Sequence, residues 1–255
     1  MDSNRVRAVI TGGASGLGLA VAKRLLADGG HVALFDVNQE KGQVAAKALG
    51  ANAHFFTVDV TDEPGLAASM DQAARAMAGL NVAVNCAGIL GSGRVLGRDG
   101  PLPLSQFETT VRVNLIGSFN VAKAAAAHMQ HNPPQQDGER GVIINTASIA
   151  AFEGQIGQCA YAASKGGVVS MTLPMAREFA RIGVRVMSLA PGVFHTPMID
   201  GVPEPVYQSL CAQVPYPSRL GQPEEFADAV VFILRNRYLN GSTLRIDGAT
   251  RLQAK

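Results

Sequence analysis

The chain has 255 residues and a formal net charge of +2, with 47% hydrophobic and 16% charged residues. That length suits one large α/β domain with a buried core, and the near-neutral charge lacks the basic stripe of a nucleic-acid binder. No run approaches the ~18 consecutive apolar residues of a membrane span, and Cys86, Cys159 and Cys211 are too scattered for a disulfide framework or a zinc site.

In chain order, residues 6–10 read as a short apolar strand, entered directly from the text MDSNR with no room for a leader. A reduced, cytoplasmic setting is therefore expected. A Gly-rich turn and a helix through Leu26 follow, then a strand over 31–35 and a helix over 39–49. Residues 53–58 are a third strand, 63–77 an Ala-rich helix and 81–85 a fourth strand. A long helical pattern spans 104–129, a fifth strand 142–146 and a helix 159–181. A sixth strand (184–190), a helix (223–234) and a seventh strand (242–247) complete the series. Strands alternating with helices predict a doubly wound, Rossmann-type parallel sheet covered on both faces, built as a single domain. Three Gly/Pro-rich stretches, 88–103, 132–141 and 191–217, read as functional loops on that domain.

The most informative residues are Ser148, Tyr161 and Lys165. Residues 161 and 165 are one helical turn apart and project from one face. A free tyrosine titrates at about 10 and is a poor base at neutral pH. A lysine ammonium beside it favours the phenolate. Ser148 ends an apolar strand, which places its hydroxyl at the mouth of a pocket. A Tyr-x-x-x-Lys pair alone is commonly only a surface pair; the remaining motifs give it meaning.

The text TGGASGLG, 11–18, lies between the first strand and its helix. Gly12, Gly16 and Gly18 let the backbone turn tightly and approach a pyrophosphate, and the free amides of the helix start favour its charge. Ser15 and Leu17 are expected to line the same turn. Asp36 directly follows the second strand, where a carboxylate can accept from both adenosine ribose hydroxyls and repel a 2′-phosphate; NAD is favoured over NADP. A solvated loop aspartate is the plain alternative. Asp59 and Val60 follow the third strand, near where an adenine amino group would sit, and Cys86, Ala87 and Gly88 follow the fourth. Cys86 is better read as packing than as chemistry. Pro191, Val193, Phe194 and Thr196 follow the sixth strand and are expected to close over a nicotinamide. All these motifs fall at strand C-termini, where open α/β sheets bind ligands.

Taken jointly, TGGASGLG, NCAG at 85–88, Asn114, Ser148, YAASK at 161–165 and Pro191-Gly192 resemble the classical short-chain dehydrogenase/reductase family over nearly the whole chain. Cys86 departs from the family pattern, which usually has a second asparagine or a small residue there. The resemblance implies that Tyr161 is the general base in oxidation and that Ser148 holds the substrate oxygen. It implies that Lys165 holds the nicotinamide ribose and lowers the tyrosine pKa, and that Asn114 anchors a proton-relay water. Residues 140–158, 164–174, 214–221 and the text LRIDGATRLQ are similar to those members that oxidise L-3-hydroxyacyl-CoA with NAD, with hydroxysteroids and other secondary alcohols as alternative substrates. Such members are homotetramers. A non-catalytic nucleotide sensor on the same fold is the competing class, against which the intact Ser, Tyr and Lys argue.

Substrate contacts are expected from the apolar side chains of 191–217: Phe194, Met198, Ile199, Val202, Val206, Tyr207, Leu210 and Val214. Arg94, Arg98 and Arg219 are candidates to meet coenzyme A phosphates. The small residues 122–127 and those of helix 159–181 are expected either to pair across a two-fold axis or to pack on the sheet.

Overall fold

Short β-rich runs buried on both faces make this a parallel sheet. The computed structural model describes residues 1, 5–98, 100–197, 199 and 201–254. Its strands are β1 (Arg7–Thr11), β2 (His31–Asp36), β3 (Ala53–Thr57), β4 (Val82–Asn85), a two-residue hairpin β5 (Leu96–Gly97) and β6 (Gly100–Pro101), then β7 (Gly141–Thr146), β8 (Val184–Pro191) and β9 (Thr243–Ile246). Seven of them form one sheet in the order β3-β2-β1-β4-β7-β8-β9, every neighbour parallel. The order reverses between β1 and β4, which opens a crevice at the strand C-termini.

The helices are α1 (Gly16–Ala27), α2 (Gln39–Leu49), α3 (Glu63–Ala76), α4 (Leu104–Val111), α5 (Gly117–Met129), α6 (Ala150–Glu153), α7 (Cys159–Phe179), α8 (Glu204–Ala212) and α9 (Pro223–Arg235). Alternation along the strands builds two cores. Ile10, Val32, Leu34, Val84, Ile144 and Leu189 face the α1 and α9 layer, with Leu25, Phe226 and Val230. Val9, Phe35, Ala83, Ile143 and Val186 face the layer of α3, α5 and α7, with Met70, Ala122, Ala125 and Met175. Among the small residues of 122–127, Ala122, Ala125 and Ala126 are buried within the chain, while Ala124 is half-buried and Ala127 exposed.

Two departures from the sequence reading matter for function. The long helical pattern 104–129 is not one regular helix, because a π-helical segment, Arg112–Ile116, joins α4 to α5. The loops also carry structure of their own: the β5–β6 hairpin, α6 directly after Ser148, and α8 inside 191–217. Pro205 in the first turn of α8 is a helix-start signal that the surrounding prolines obscure. Met198 lies outside the described residues.

Phe226 is fully buried and meets Phe194 edge-on, with ring centroids 6.3 Å apart. Phe226→Ala is expected to lower unfolding free energy by about 3–5 kcal/mol, measured by urea denaturation. A loss below about 1 kcal/mol would contradict this packing.

Candidate active site

Three elements bring Ser148, Tyr161, Lys165 and Asn114 together. β7 ends at Thr146 and delivers Ser148 to the rim of the sheet, where α6 begins. α7 carries Tyr161 and Lys165 on one face, and its Lys165 Nζ donates to the Thr146 carbonyl at 2.7 Å. The Ser148 hydroxyl hydrogen-bonds the Tyr161 phenol and accepts from the Ala150 N–H at 3.1 Å. Asn114 sits in the π segment, fully buried. Its Nδ2 donates to the Ile89 carbonyl at 2.9 Å and to Ser164 Oγ at 3.0 Å, while Oδ1 accepts from the Ile89 N–H at 2.8 Å. Both amide donors are therefore committed. Ser164 in turn donates to the Tyr161 carbonyl at 2.7 Å, so one chain of bonds links Asn114 to the helix turn that carries the phenol. A π-bulge at such a place is a common device for aiming a functional residue.

Gly88 completes the cluster. A Cβ there would stand 3.1 Å from Asn114 Oδ1 and 3.5 Å from Lys165 Nζ, so residue 88 must be small for the backbone to pass.

The glycine turn forms between β1 and α1 as its spacing predicts. A Cβ on Gly12 would meet the Ala87 nitrogen and the Cys86 carbonyl carbon at 3.0 Å, and its φ is +62°; one on Gly18 would strike the Gly12 oxygen at 2.4 Å. Ser15 precedes α1 without a side-chain cap, so the first-turn amides stay available. Thr196 and Pro197 pass near Gly16, where a Cβ would lie 3.6 Å from each. Thr11 Oγ1 accepts from the N–H groups of Cys86 and Ala87, both at 3.1 Å, and ties the two Gly-rich turns together. Asp36 leans over the turn: its carboxylate accepts from the Ala14 N–H at 3.2 Å and from Asn38 N–H at 3.0 Å. Asp59 is exposed after β3 and accepts from Thr61, with Val60 buried beside it. These residues fit a dinucleotide: a cradle that side chains would fill, free helix amides for a pyrophosphate, and a carboxylate at the end of β2.

Burial governs the titrations. It pushes the Tyr161 phenol above its ordinary value, opposed by the Ser148 hydrogen bond. It brings Lys165 down to about 8, opposed by the nearby Cys86 thiol. The Cys86 thiol itself is pushed up to about 11, which removes it as a nucleophile. The expected help from the ammonium to the phenolate is not the dominant effect here. Lys165 Nζ is 5.8 Å from the Tyr161 ring centroid and is turned onto Thr146.

A family model described as short chain dehydrogenase matches residues 6–205. The chain belongs to the short-chain dehydrogenase family. This short-chain dehydrogenase is 50% identical to the human protein named 3-hydroxyacyl-CoA dehydrogenase type-2 over 248 residues, covering 96% of this chain and 95% of the relative. It is 46% identical to the Drosophila melanogaster protein of the same name, covering 96% of each. The crystal structure of 3-hydroxyacyl-CoA dehydrogenase type-2 from Mycobacterium avium superposes with a TM-score of 0.92 at 42% identity, covering 97% of this chain and 96% of that one. The chain is thus an oxidoreductase, of a family that generally works with nicotinamide dinucleotides. Among the described residues no helix is long and apolar enough to cross a membrane.

A cleft of about 480 Å³ opens at the start of α7 in this dehydrogenase, walled by Arg94, Val95 and Leu96 and by Gly154, Gln155, Ile156 and Ala162, the residue that follows Tyr161 in the chain. The apolar side chains of 191–217 do not line this cleft. Phe194 is buried against Phe226 and Gly221, and Val214 packs near Gly248. Arg219 is held in a two-pronged pair with Glu225 at 2.9 and 2.8 Å and is not a free cation for a phosphate. The cleft wall at 154–158, together with Thr146 and Ser164, escaped the sequence reading. Ser164 stood in plain view within YAASK, but nothing in the text showed what it would bond.

Because Lys165 is buried near pH 8 rather than at its ordinary value, the unfolded chain binds more protons through the interval above that pH, and stability rises there. Relative to Lys165→Met, the unliganded enzyme is expected to gain about 2 kcal/mol between pH 7.5 and 9.5. Denaturant titrations of both proteins check this; parallel pH profiles would refute it.

Proposed function

We propose that this chain oxidises the 3-hydroxyl of L-3-hydroxyacyl-CoA to the 3-ketoacyl thioester, reversibly, with NAD. The observation that carries the dehydrogenase chemistry is the junction of Ser148, Tyr161 and Lys165 at the strand C-termini. The acyl-CoA part is supported by the names of relatives half identical to it, and by an apolar cleft at the start of α7, the helix that carries Tyr161, with the exposed Arg94 in its wall. A hydroxysteroid or another apolar secondary alcohol is the second reading, since Val95, Leu96 and Ile156 would also cover a rigid hydrocarbon.

In the oxidative direction Ser148 and Tyr161 receive the substrate hydroxyl between them. Tyr161 takes its proton as the hydride leaves the same carbon, and Ser148 steadies the charge on the oxygen. NAD, when bound, supplies the hydride acceptor. Lys165 keeps further N–H donors beyond the one given to Thr146 and would hold the nicotinamide ribose. Gly12, Ser15, Gly16, Leu17 and Gly18 would cradle the pyrophosphate. Asp36 would bind the adenosine ribose and exclude a 2′-phosphate, and Asp59 and Val60 would flank the adenine. Ala87, Gly88, Pro191, Val193 and Thr196 would enclose the nicotinamide end, with Phe194 contributing through its backbone and Cys86 as a packed wall. Asn114 positions residues 88–89 through its side chain, and its carbonyl, which accepts from Ser118 Oγ at 2.7 Å, is the group left to anchor a relay.

In this reading the chain is one domain, with a cofactor half at 1–140 and a catalytic half at 141–255. A homotetramer is supported by Ile116, Phe119 and Leu173, apolar side chains left exposed on the π segment, α5 and α7.

Initial rates on acetoacetyl-CoA with NADH, against a steroid panel, test the substrate; a steroid preferred by orders of magnitude would defeat the acyl-CoA choice. Tyr161→Phe is expected to cut turnover by about 10³-fold or more while NADH binding, followed by its fluorescence, is retained. Asp36→Ala is expected to narrow the preference for NADH over NADPH by about tenfold or more. Equal use of both nucleotides by the unaltered enzyme would overturn the role given to Asp36.

A further inference from the structure

The wall of the cleft at 154–158 has no regular structure of its own; it leaves the four-residue α6 and reaches α7 through an open turn. It is nevertheless held along both edges. On one side the Gly93 N–H donates to the Gly157 carbonyl at 2.8 Å. On the other, the Ile156 N–H donates to the Ala254 carbonyl at 3.0 Å, and Gln155 Nε2 to the Gln253 carbonyl at 3.1 Å. Residues 253–254 therefore lie along the wall as a strap.

The strap is itself anchored by four charges. Arg245, on the edge strand β9, makes a two-pronged contact with Glu153 at 2.9 and 3.2 Å and reaches Asp247 at 2.7 Å. Arg251 closes the ring, 3.2 Å from Glu153 and 3.2 Å from Asp247. Both arginines also donate to the carbonyl of the buried Thr250, at 3.2 and 2.7 Å. The Arg245 guanidinium covers the Phe152 ring at 5.2 Å. Single exposed ion pairs contribute little, but a partly buried network of this kind fixes geometry. Its members join α6, β9 and the strap, five residues beyond Ser148.

We infer that residues 250–254, clamped by Glu153, Arg245, Asp247 and Arg251, form the outer support of the substrate cleft and set which substrates it accepts. Glu153 and Arg251 are positioning residues. They act through the wall at 154–158 and touch neither the glycine turn nor Asp36, which lie across the sheet beside β1 and β2. The inference rests on the cleft at the start of α7 being the substrate site.

The test compares the full chain with Arg251→Ala, with Glu153→Gln and with a variant lacking residues 253–255. Arg251 is more than half exposed, so its removal leaves the fold intact. Hydrogen exchange of the 153–158 segment is expected to speed up by about tenfold in the shortened variant, with the sheet strands unchanged. KM for acetoacetyl-CoA is expected to rise about tenfold in the shortened variant and less in the two substitutions, with kcat and the NADH dissociation constant within about threefold. Unchanged exchange at 153–158, or NADH affinity falling in step with KM, would overturn the inference. A parent chain inert toward acetoacetyl-CoA would overturn the acyl-CoA reading alone, and the exchange comparison would still decide the strap.

Discussion

The site depends on one cation being buried without a carboxylate partner. Lys165 is 4% exposed, and among the described residues its ammonium is met by the Thr146 carbonyl rather than by an acid. An unpaired buried charge is costly, and the lowered pKa expresses that cost. The fold tolerates it because β7, the strand that delivers Thr146, also delivers Ser148 two residues later. The same stretch of backbone that satisfies the lysine thus aims the serine.

The surroundings are arranged to leave that cation room. Gly88 has no side chain to intrude on Lys165 or Asn114. Thr11 draws the Cys86 and Ala87 amides toward β1, and Asn85, next along, bonds Asn145 at 2.8 Å across the sheet. Parallel strands make this possible, since all their C-termini open on one side and adjacent loops can share acceptors. The glycine turn and the cluster of Ser148, Tyr161 and Lys165 then lie on the same rim, separated by the crossover between β1 and β4.

Much of this was legible before any coordinates. Every strand of the main sheet could be placed to within a residue or two, because alternation and length leave few choices for short runs such as VAVN or GVIINT. Ser148, Tyr161, Lys165 and the glycine turn were readable because their spacing is itself the geometry. What the sequence concealed were contacts made by backbone. Thr146 meets Lys165 through its carbonyl, and Gln253 and Ala254 hold the cleft wall through theirs, so no residue type advertised them. Phe194 was misplaced for another reason: an apolar ring beside a reacting centre reads equally well as pocket or as core, and here Phe226 and Gly221 claim it. The π segment was invisible because RVNLI has the composition of ordinary helix.

That segment carries a consequence for how the protein can vary. One extra residue in a helical turn offsets everything beyond it by about 100° around the axis. Were residues 112–116 to relax into regular winding, Asn114 would swing off Ile89 and Ser164, or else α5 would rotate its alanines out of the sheet. Neither half can be re-phased alone, so loss or gain of a single residue within Arg112–Ile116 would force a choice between the buried alanines of α5 and the Asn114 bonds to Ile89 and Ser164.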